Sequence, residues 1–352
     1  MDDGSYSPGP IALLGSGETS LIGSRMIELL SRNFPAPLRI SILETPAGFE
    51  LNSAQVAERV ADFFDSRLQN YRPVVDIIPA RKRGTQYSPD DLEILKPVLQ
   101  ADIIFMGPGS PTYAVRQLKD SLAWDIIRAR HWQGAALLFS SAAAIAIGTH
   151  LLPVYEIFKV GEDVSAPPGL GLMEQFGLQL SFIPHWNNAE GGADLDTSRC
   201  FVGMERFRAW CELLPTGHTC VGLDEHTGVV INFPSGECQV HGVSSVTLLK
   251  DCVPRICASG ETFFLKDLGD FRMPGRPKKM VPRKVLDLLE RTGHELPQKE
   301  KPPQAVMRLA EERQAARLRK DWVEADRIRS EIEAAGWQVQ DSPDGPRFVR
   351  NK

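Results

Sequence analysis

The sequence predicts an α/β protein: a mainly parallel sheet with helices on both faces, followed by a small C-terminal helical hairpin and a two-stranded β-hairpin. Three observations predict it. Up to about Leu265, short apolar runs rich in β-branched residues alternate with amphipathic stretches, as expected when strands are covered on both faces. A chain of 352 residues, 42% hydrophobic, is long enough for one large core and a smaller unit. Charge is divided unevenly: residues 1–271 carry 21 Lys+Arg against 32 Asp+Glu, and residues 272–352 carry 19 against 13. The two parts therefore present different surfaces.

Element by element, "PIALLG" reads as a first strand, "SLIGSRMIELLSRN" as a helix and "LRISILETP" as a second strand. There follow "SAQVAERVADFFDSRLQN" (helix), "VVDIIPA" (strand), and "SPDDLEILKPVLQ", a helix with Ser88 as N-cap and Pro89 at its first position. "ADIIFMGPG" is a strand, "SPTYAVRQLKDSLAWDIIRARHWQ" a helix, and "GAALLFS" the strand that ends at Ser140 and Ser141. "LQLSFIPH" reads as an added strand, and "TCVGLDEHTGVVINF" with "ECQVHGVSSVTLL" as a closing antiparallel hairpin. From Lys266 to about Pro303 a basic, Pro-rich linker surrounds one short helix, "VLDLLERTG". Beyond it two helices meet at a Lys-Asp turn, with Leu309, Ala316, Trp322, Ala325, Ile328 and Ile332 at packing spacings, before a hairpin over a Pro-Asp-Gly turn. The expected units are thus 9–265, 266–303 and 304–352.

The N-terminus, MDDGSYSPGP, is acidic and polar where a secretory signal is basic and then apolar, and no apolar run approaches a bilayer span. The expectation is a cytoplasmic protein without a membrane partner; oligomeric state is not readable. Six cysteines between Cys200 and Cys257 lack the paired short spacings of a zinc site and are too sparse for a disulfide framework, so no metal is expected. "GSGETS" lacks the third glycine and the acidic partner of a dinucleotide fingerprint, so no cofactor is expected either.

Two strand ends carry glycine where a loop passes close to a ligand: "LLGSGETS", with Gly15, Gly17 and Glu18, and "FMGPGSPTY", with Gly107, Gly109 and Ser110. Strand carboxyl ends form the crevice of an open α/β sheet, so both loops are expected to share a pocket with Ser141. A serine hydroxyl becomes a nucleophile when an imidazole takes its proton and a third group fixes that imidazole. Of seven histidines, His185 ends an apolar strand and opens a polar stretch, "WNNAEGGADLDTSRCF". The carboxylates after Ser141 include Glu156, Glu162, Asp163, Asp224 and Glu225.

The ordered set "LLGSGE", "FMGPGSPTYAVRQL", "FSSAAA", "PH" with its polar loop, and "VGLDEHTGVVI" resembles the dipeptidase E and cyanophycinase family of serine peptidases. The resemblance covers residues 9–265 and implies a flavodoxin-like, class I glutamine amidotransferase-like fold. It implies Ser141 as nucleophile, His185 as general base, and Glu156 as the acid, with Glu162 and Asp163 in reserve. It also implies oxyanion donors at Gly107, Gly109 and Ala142. Phe139 and Ala143 replace the two glycines that flank that family's nucleophile, so a strained turn has to be held without them. Substrate contacts are expected from Glu18, Ser110, Asn187 and Arg199, the last because a guanidinium pairs bidentately with a carboxylate. Ser110 and Pro111 stand where the family has a polar residue for acidic side chains.

The segment "RLAEERQAARLRKDWVEADRIRSEIEAAGWQVQDSPDGPRFVR" resembles the C-terminal tail of cysteinyl-tRNA synthetases. Nothing upstream carries the HIGH or KMSKS signatures of aminoacylation. Two readings follow. One is a serine hydrolase acting on a small peptide or amide. The other is a non-catalytic adaptor that contacts tRNA or another RNA through residues 272–352, where Lys and Arg bind phosphate by counterion release. Amide transfer is disfavoured, since it uses cysteine where Ser141 stands.

Overall fold

A computed structural model describes residues 7–250, 253–274, 281–295, 303–342 and 345–350. The first strands and helices alternate: β1 (Ile11–Leu14), α1 (Leu21–Ser31), β2 (Arg39–Leu43), α2 (Ser53–Arg67), β3 (Val74–Ile78), α3 (Leu92–Leu95) and β4 (Ile103–Met106). Then come α4 (Pro111–Leu118), α5 (Leu122–Trp132), β5 (Ala136–Ser140) and α6 (Ala142–Ala146). After a long connection follow β6 (Leu180–Ile183), α7 (Gly203–Glu212), β7 (Thr219–Leu223) and β8 (Thr227–Asn232). The body continues through β9 (Glu237–Gly242), β10 (Ser245–Lys250), β11 (Val253–Ala258) and β12 (Thr262–Phe264).

Among the described residues the strands build an eight-stranded mixed sheet, ordered β12-β9-β8-β1-β5-β4-β2-β3, and a second, four-stranded sheet, β11-β10-β7-β6. The run β1-β5-β4-β2-β3 is parallel, while β8 lies antiparallel to β1. Successive residues of a strand face opposite ways, and both faces here are covered. Ala136 and Leu138 of β5 join Met26, Ile27, Val60 and Phe64 of α1 and α2, whereas Leu137 and Phe139 join Trp124, Ile127 and Trp132 of α5. That double burial is why the parallel strands read as unbroken apolar runs.

Several expected elements are divided in the structure. The helix expected over residues 88–100 is only α3, capped by Asp91 and followed by a 3-10 turn, Lys96–Gln100, because Pro97 cannot continue α-helical hydrogen bonding. The single helix expected over 110–133 is two, separated where Asp120 takes φ 58° and Ser121 caps α5 through the Trp124 N–H. The strand expected over 219–233 is also two, in different sheets: β7 belongs to the second sheet and β8 pairs with β1. The chain turns between them at Asp224, whose Oδ2 accepts from the Ser244 and Ser245 hydroxyls and the Ser245 N–H.

The expected linker is also partly body. Helix α8 (Arg283–Glu295) buries Val285, Leu286 and Leu289, together with Val281 before it, in the main core beside α5. Residues 275–280 and 296–302 of that expected linker lie outside the described residues, as do Cys252 and the Pro343–Asp344 part of the last turn. The tail comprises α9 (Gln304–Leu318), α10 (Trp322–Ala334) and the hairpin β13 (Trp337–Ser342) with β14 (Gly345–Arg350). Its core is Val306, Ala310, Ile328, Ile332, Trp337 and Val339; Trp322, expected to pack, is 58% exposed at the first turn of α10. No helix among the described residues is long and apolar enough to cross a membrane.

Candidate active site

The carboxyl ends of β1, β4 and β5 open into a cavity of about 300 Å³ lined by Ser16, Gly17, Glu18, Pro108, Gly109, Pro111, Ser141, Ala142, Ile145, Val154, Tyr155, His185, Cys200 and Phe201. Ser141 lies between strand and helix, with φ 51° and ψ −120°. A non-glycine residue held at positive φ costs on the order of 1–3 kcal/mol, so its surroundings must hold it. They do so from both sides. The Ser141 N–H bonds to the Leu14 carbonyl at the end of β1, and the Ala143 N–H to the Gly107 carbonyl at the end of β4.

The missing glycines are thereby accounted for. Neither Phe139 nor Ala143 has positive φ, so neither needs a glycine's backbone freedom. Phe139 is fully buried in the core beneath the sheet and stays out of the cavity, and Ala143 is buried inside α6.

Ser141 Oγ lies 3.0 Å from His185 Nε2, and His185 Nδ1 lies 3.0 Å from Glu225 Oε1. His185 follows β6 at φ 48°, its N–H on the Gly15 carbonyl and its ring 5.6 Å from that of Phe201. Glu225 sits on the β7–β8 turn. Its Oε1 also accepts from Asn188 Nδ2 at 2.9 Å, and its N–H donates to Asn187 Oδ1 at 2.8 Å. Burial alone would raise the Glu225 carboxyl, but the hydrogen bonds from Asn188 and His185 outweigh it and hold the group below its ordinary value. Such a chain lets an imidazole take the serine proton while a carboxylate fixes the ring's orientation.

The carboxylate on His185 is therefore Glu225, where Glu156 was expected. Glu156 opens a π-helical turn, Glu156–Val160, and its Oε1 accepts from Thr112 Oγ1 at 2.5 Å, which ties it to α4. Glu162 and Asp163 are exposed just beyond. The substrate contacts also need correction. Arg199 Nη1 donates to the Trp186 carbonyl, and its guanidinium lies 4.0 Å over the Trp186 ring; it does not line the cavity. Asn187 is spent on Glu225, and Ser110 caps α4 through the Tyr113 N–H. Glu18 does line the cavity and accepts from Ser140 Oγ at 2.9 Å.

Of the expected oxyanion donors, Gly109 and Ala142 line the cavity, and no hydrogen bond engages either N–H among the described residues. Gly107 stands one step back, presenting its carbonyl to Ala143. Cys200 also lines the cavity, but burial, with the Glu225 charge adding to it, pushes its pKa up to about 12, so the thiol stays protonated. Among the described residues no group of three or more His, Cys, Asp or Glu side chains is placed to hold a metal ion. Sequence reasoning put Glu225 behind Glu156 and gave Asn188 no part in holding that carboxylate. A signal for Glu225 was present, since "GLDEHTG" ends an apolar strand in polar residues as "FIPHWNN" does.

The fold is similar to that of a peptidase from an acI-B1 Actinobacterium, with TM-score 0.58 and 23% identity, over 74% of this chain and 98% of that one. A putative peptidase E protein from Listeria monocytogenes aligns at TM-score 0.45 and 14% identity over 68% of this chain. A short segment is similar to cysteine–tRNA ligases: 51% identity over 46 residues to one from Burkholderia lata, and 44% over 66 residues to one from Methanosarcina acetivorans. These matches cover 13% and 19% of this chain, and the chain spans only 10% and 13% of the length of those ligases. No protein-family profile matches the chain.

Proposed function

We propose that the protein is a serine-type hydrolase of peptides or related amides, with Ser141 as nucleophile, His185 as general base and Glu225 as the group that orients the imidazole. The observation that carries this reading is the continuous hydrogen-bonded chain from Ser141 through His185 to Glu225, with Ser141 and His185 lining a cavity. Ser141 Oγ attacks the scissile carbonyl carbon as its proton passes to His185 Nε2. The tetrahedral oxyanion is stabilised by the N–H groups of Gly109 and Ala142. His185 then gives the proton to the departing amine as the carbon–nitrogen bond breaks, leaving an acyl ester on Ser141. Water, deprotonated by the same imidazole, hydrolyses that ester and restores the serine.

The test is labelling by a fluorophosphonate probe mapped by peptide mass spectrometry. Label is expected on Ser141 and lost in folded Ser141→Ala and His185→Ala variants; an unlabelled, folded wild-type protein would refute the reading.

A second reading concerns the tail and is favoured by the cysteine–tRNA ligase similarity together with the basic excess of residues 272–352. In it, the tail contacts tRNA or another RNA, alongside the hydrolase or in its place. Affinity for a tRNA pool would fall steeply as salt rises, and would vanish on removal of residues 303–352. Binding that ignores both salt and the truncation would reject it.

A further inference from the structure

The cavity around Ser141 has a mainly apolar lining that includes Pro111, Ile145, Val154, Tyr155 and Phe201, and among the described residues Glu18 is its single acidic side chain. No arginine or lysine lines the cavity among the described residues. The basic group nearest in sequence, Arg199, is turned away. Arg199, Cys200 and Phe201 are three consecutive residues in the left-handed region, at φ 59°, 60° and 70°. This left-handed turn places Phe201 in the cavity beside His185 and stacks Arg199 on Trp186 outside it. Burial raises the Tyr155 hydroxyl above its ordinary pKa, so that group adds no charge.

An acidic substrate side chain in this space would lose its hydration, find no cation and face the Glu18 carboxylate. An apolar or aromatic side chain would instead cover the partly exposed rings of Tyr155 and Phe201 and pack against the buried Ile145 and Val154. We infer that the cavity selects amides whose acyl part carries an apolar or aromatic side chain and rejects those carrying a carboxylate. The inference rests on the hydrolase reading, because it assigns the cavity to the substrate's acyl part.

The test compares kcat/KM for the 4-nitroanilides of phenylalanine, leucine and aspartate on the full chain, with the Glu18→Gln variant beside the wild type. The expected result is a preference for phenylalanine or leucine over aspartate of at least about tenfold, and a severalfold narrowing of that ratio in E18Q as the repulsion is removed. Fluorophosphonate labelling of the same samples separates the two ways of failing. Label on Ser141 with aspartate cleaved as fast as the others, with none of the three cleaved, or with a ratio unmoved by E18Q overturns this inference alone. Absence of label on folded protein overturns the hydrolase reading, and this inference falls with it.

Discussion

Glu225 and Glu156 carry the same functional group, and only their hydrogen-bond partners distinguish their roles. Glu225 Oε1 receives both His185 Nδ1 and Asn188 Nδ2, while Glu156 Oε1 receives the Thr112 hydroxyl. Glu225→Gln keeps the shape but sets an amide against His185 and Asn188, so the imidazole loses the partner that fixes its tautomer. Its kcat is expected to fall by about 10³–10⁴-fold with little change in KM. Glu156→Gln keeps an oxygen for Thr112, and its kcat is expected to stay within about threefold of the wild type. Steady-state kinetics of the pair, on whichever amide is cleaved best, checks both; equal losses would mean that Glu225 has no special part. Ser141 and His185 were legible because each ends an apolar strand and opens a polar segment. Glu225 does the same, but many carboxylates follow Ser141 in the chain, and nothing in their spacing says which loop folds back onto the histidine. Arg199 was misplaced because a guanidinium that stacks on Trp186 reads, in sequence, like one free to bind a carboxylate.

At the scale of elements, the turn at Ser141 depends on its neighbours more than on its own residues. Ser141 N–H on Leu14 and Ala143 N–H on Gly107 pin it to the ends of β1 and β4, and Phe139 anchors β5 below. The loop after β4 leaves no such latitude. Gly109 has φ 144°, and a Cβ there would lie 2.0 Å from the Pro46 carbonyl oxygen. Gly109→Ala therefore has to move the loop, and with it an N–H that lines the cavity. A stability loss of roughly 2 kcal/mol or more is expected, together with loss of Ser141 labelling in the fraction that remains folded. Denaturant titration and probe labelling check the two effects separately. The alternation of strands and helices along the chain was readable from apolar runs because burial on both faces leaves few polar positions. The breaks at Asp120 and at Asp224–His226 were not. Each depends on a residue adopting the left-handed region, Asp120 at φ 58° and His226 at φ 52°, which asparagine-like and polar residues permit without requiring.

The whole molecule responds to acid through histidines buried as neutral groups. His131 is fully buried, with Nε2 2.8 Å from the Gly9 carbonyl oxygen, and burial lowers its pKa to about 4; His218 is lowered to about 4 by burial with a smaller push from His150. Below pH 6.5 the unfolded chain binds protons that the folded chain refuses, so these groups favour folding at neutral pH and cease to do so as pH falls toward 4. Urea unfolding between pH 6 and 5 is expected to show stability falling with acid, and the slope to be reduced by about 1 kcal/mol per pH unit in His131→Leu.

Stability also decides where the body ends. The composition of residues 266–303 reads as a linker because proline and basic residues dominate it, yet Val281, Val285, Leu286 and Leu289 reach the main core. Burial of side chains of this size is worth about 1.5–3 kcal/mol each, so deleting everything after residue 274 removes roughly 5 kcal/mol or more of gross stabilisation. The tail is different: its cluster of Val306, Ala310, Ile328, Ile332, Trp337 and Val339 shares no member with the core of the body among the described residues. A chain ending at residue 302 is therefore expected to unfold at nearly the wild-type denaturant midpoint and to label at Ser141. A chain ending at 274 is expected to unfold far earlier or to aggregate. Equal midpoints for the two truncations would show that α8 adds nothing to the body. A large loss on removing the tail alone would show that the tail contributes to the core of the body and that the two fold as one.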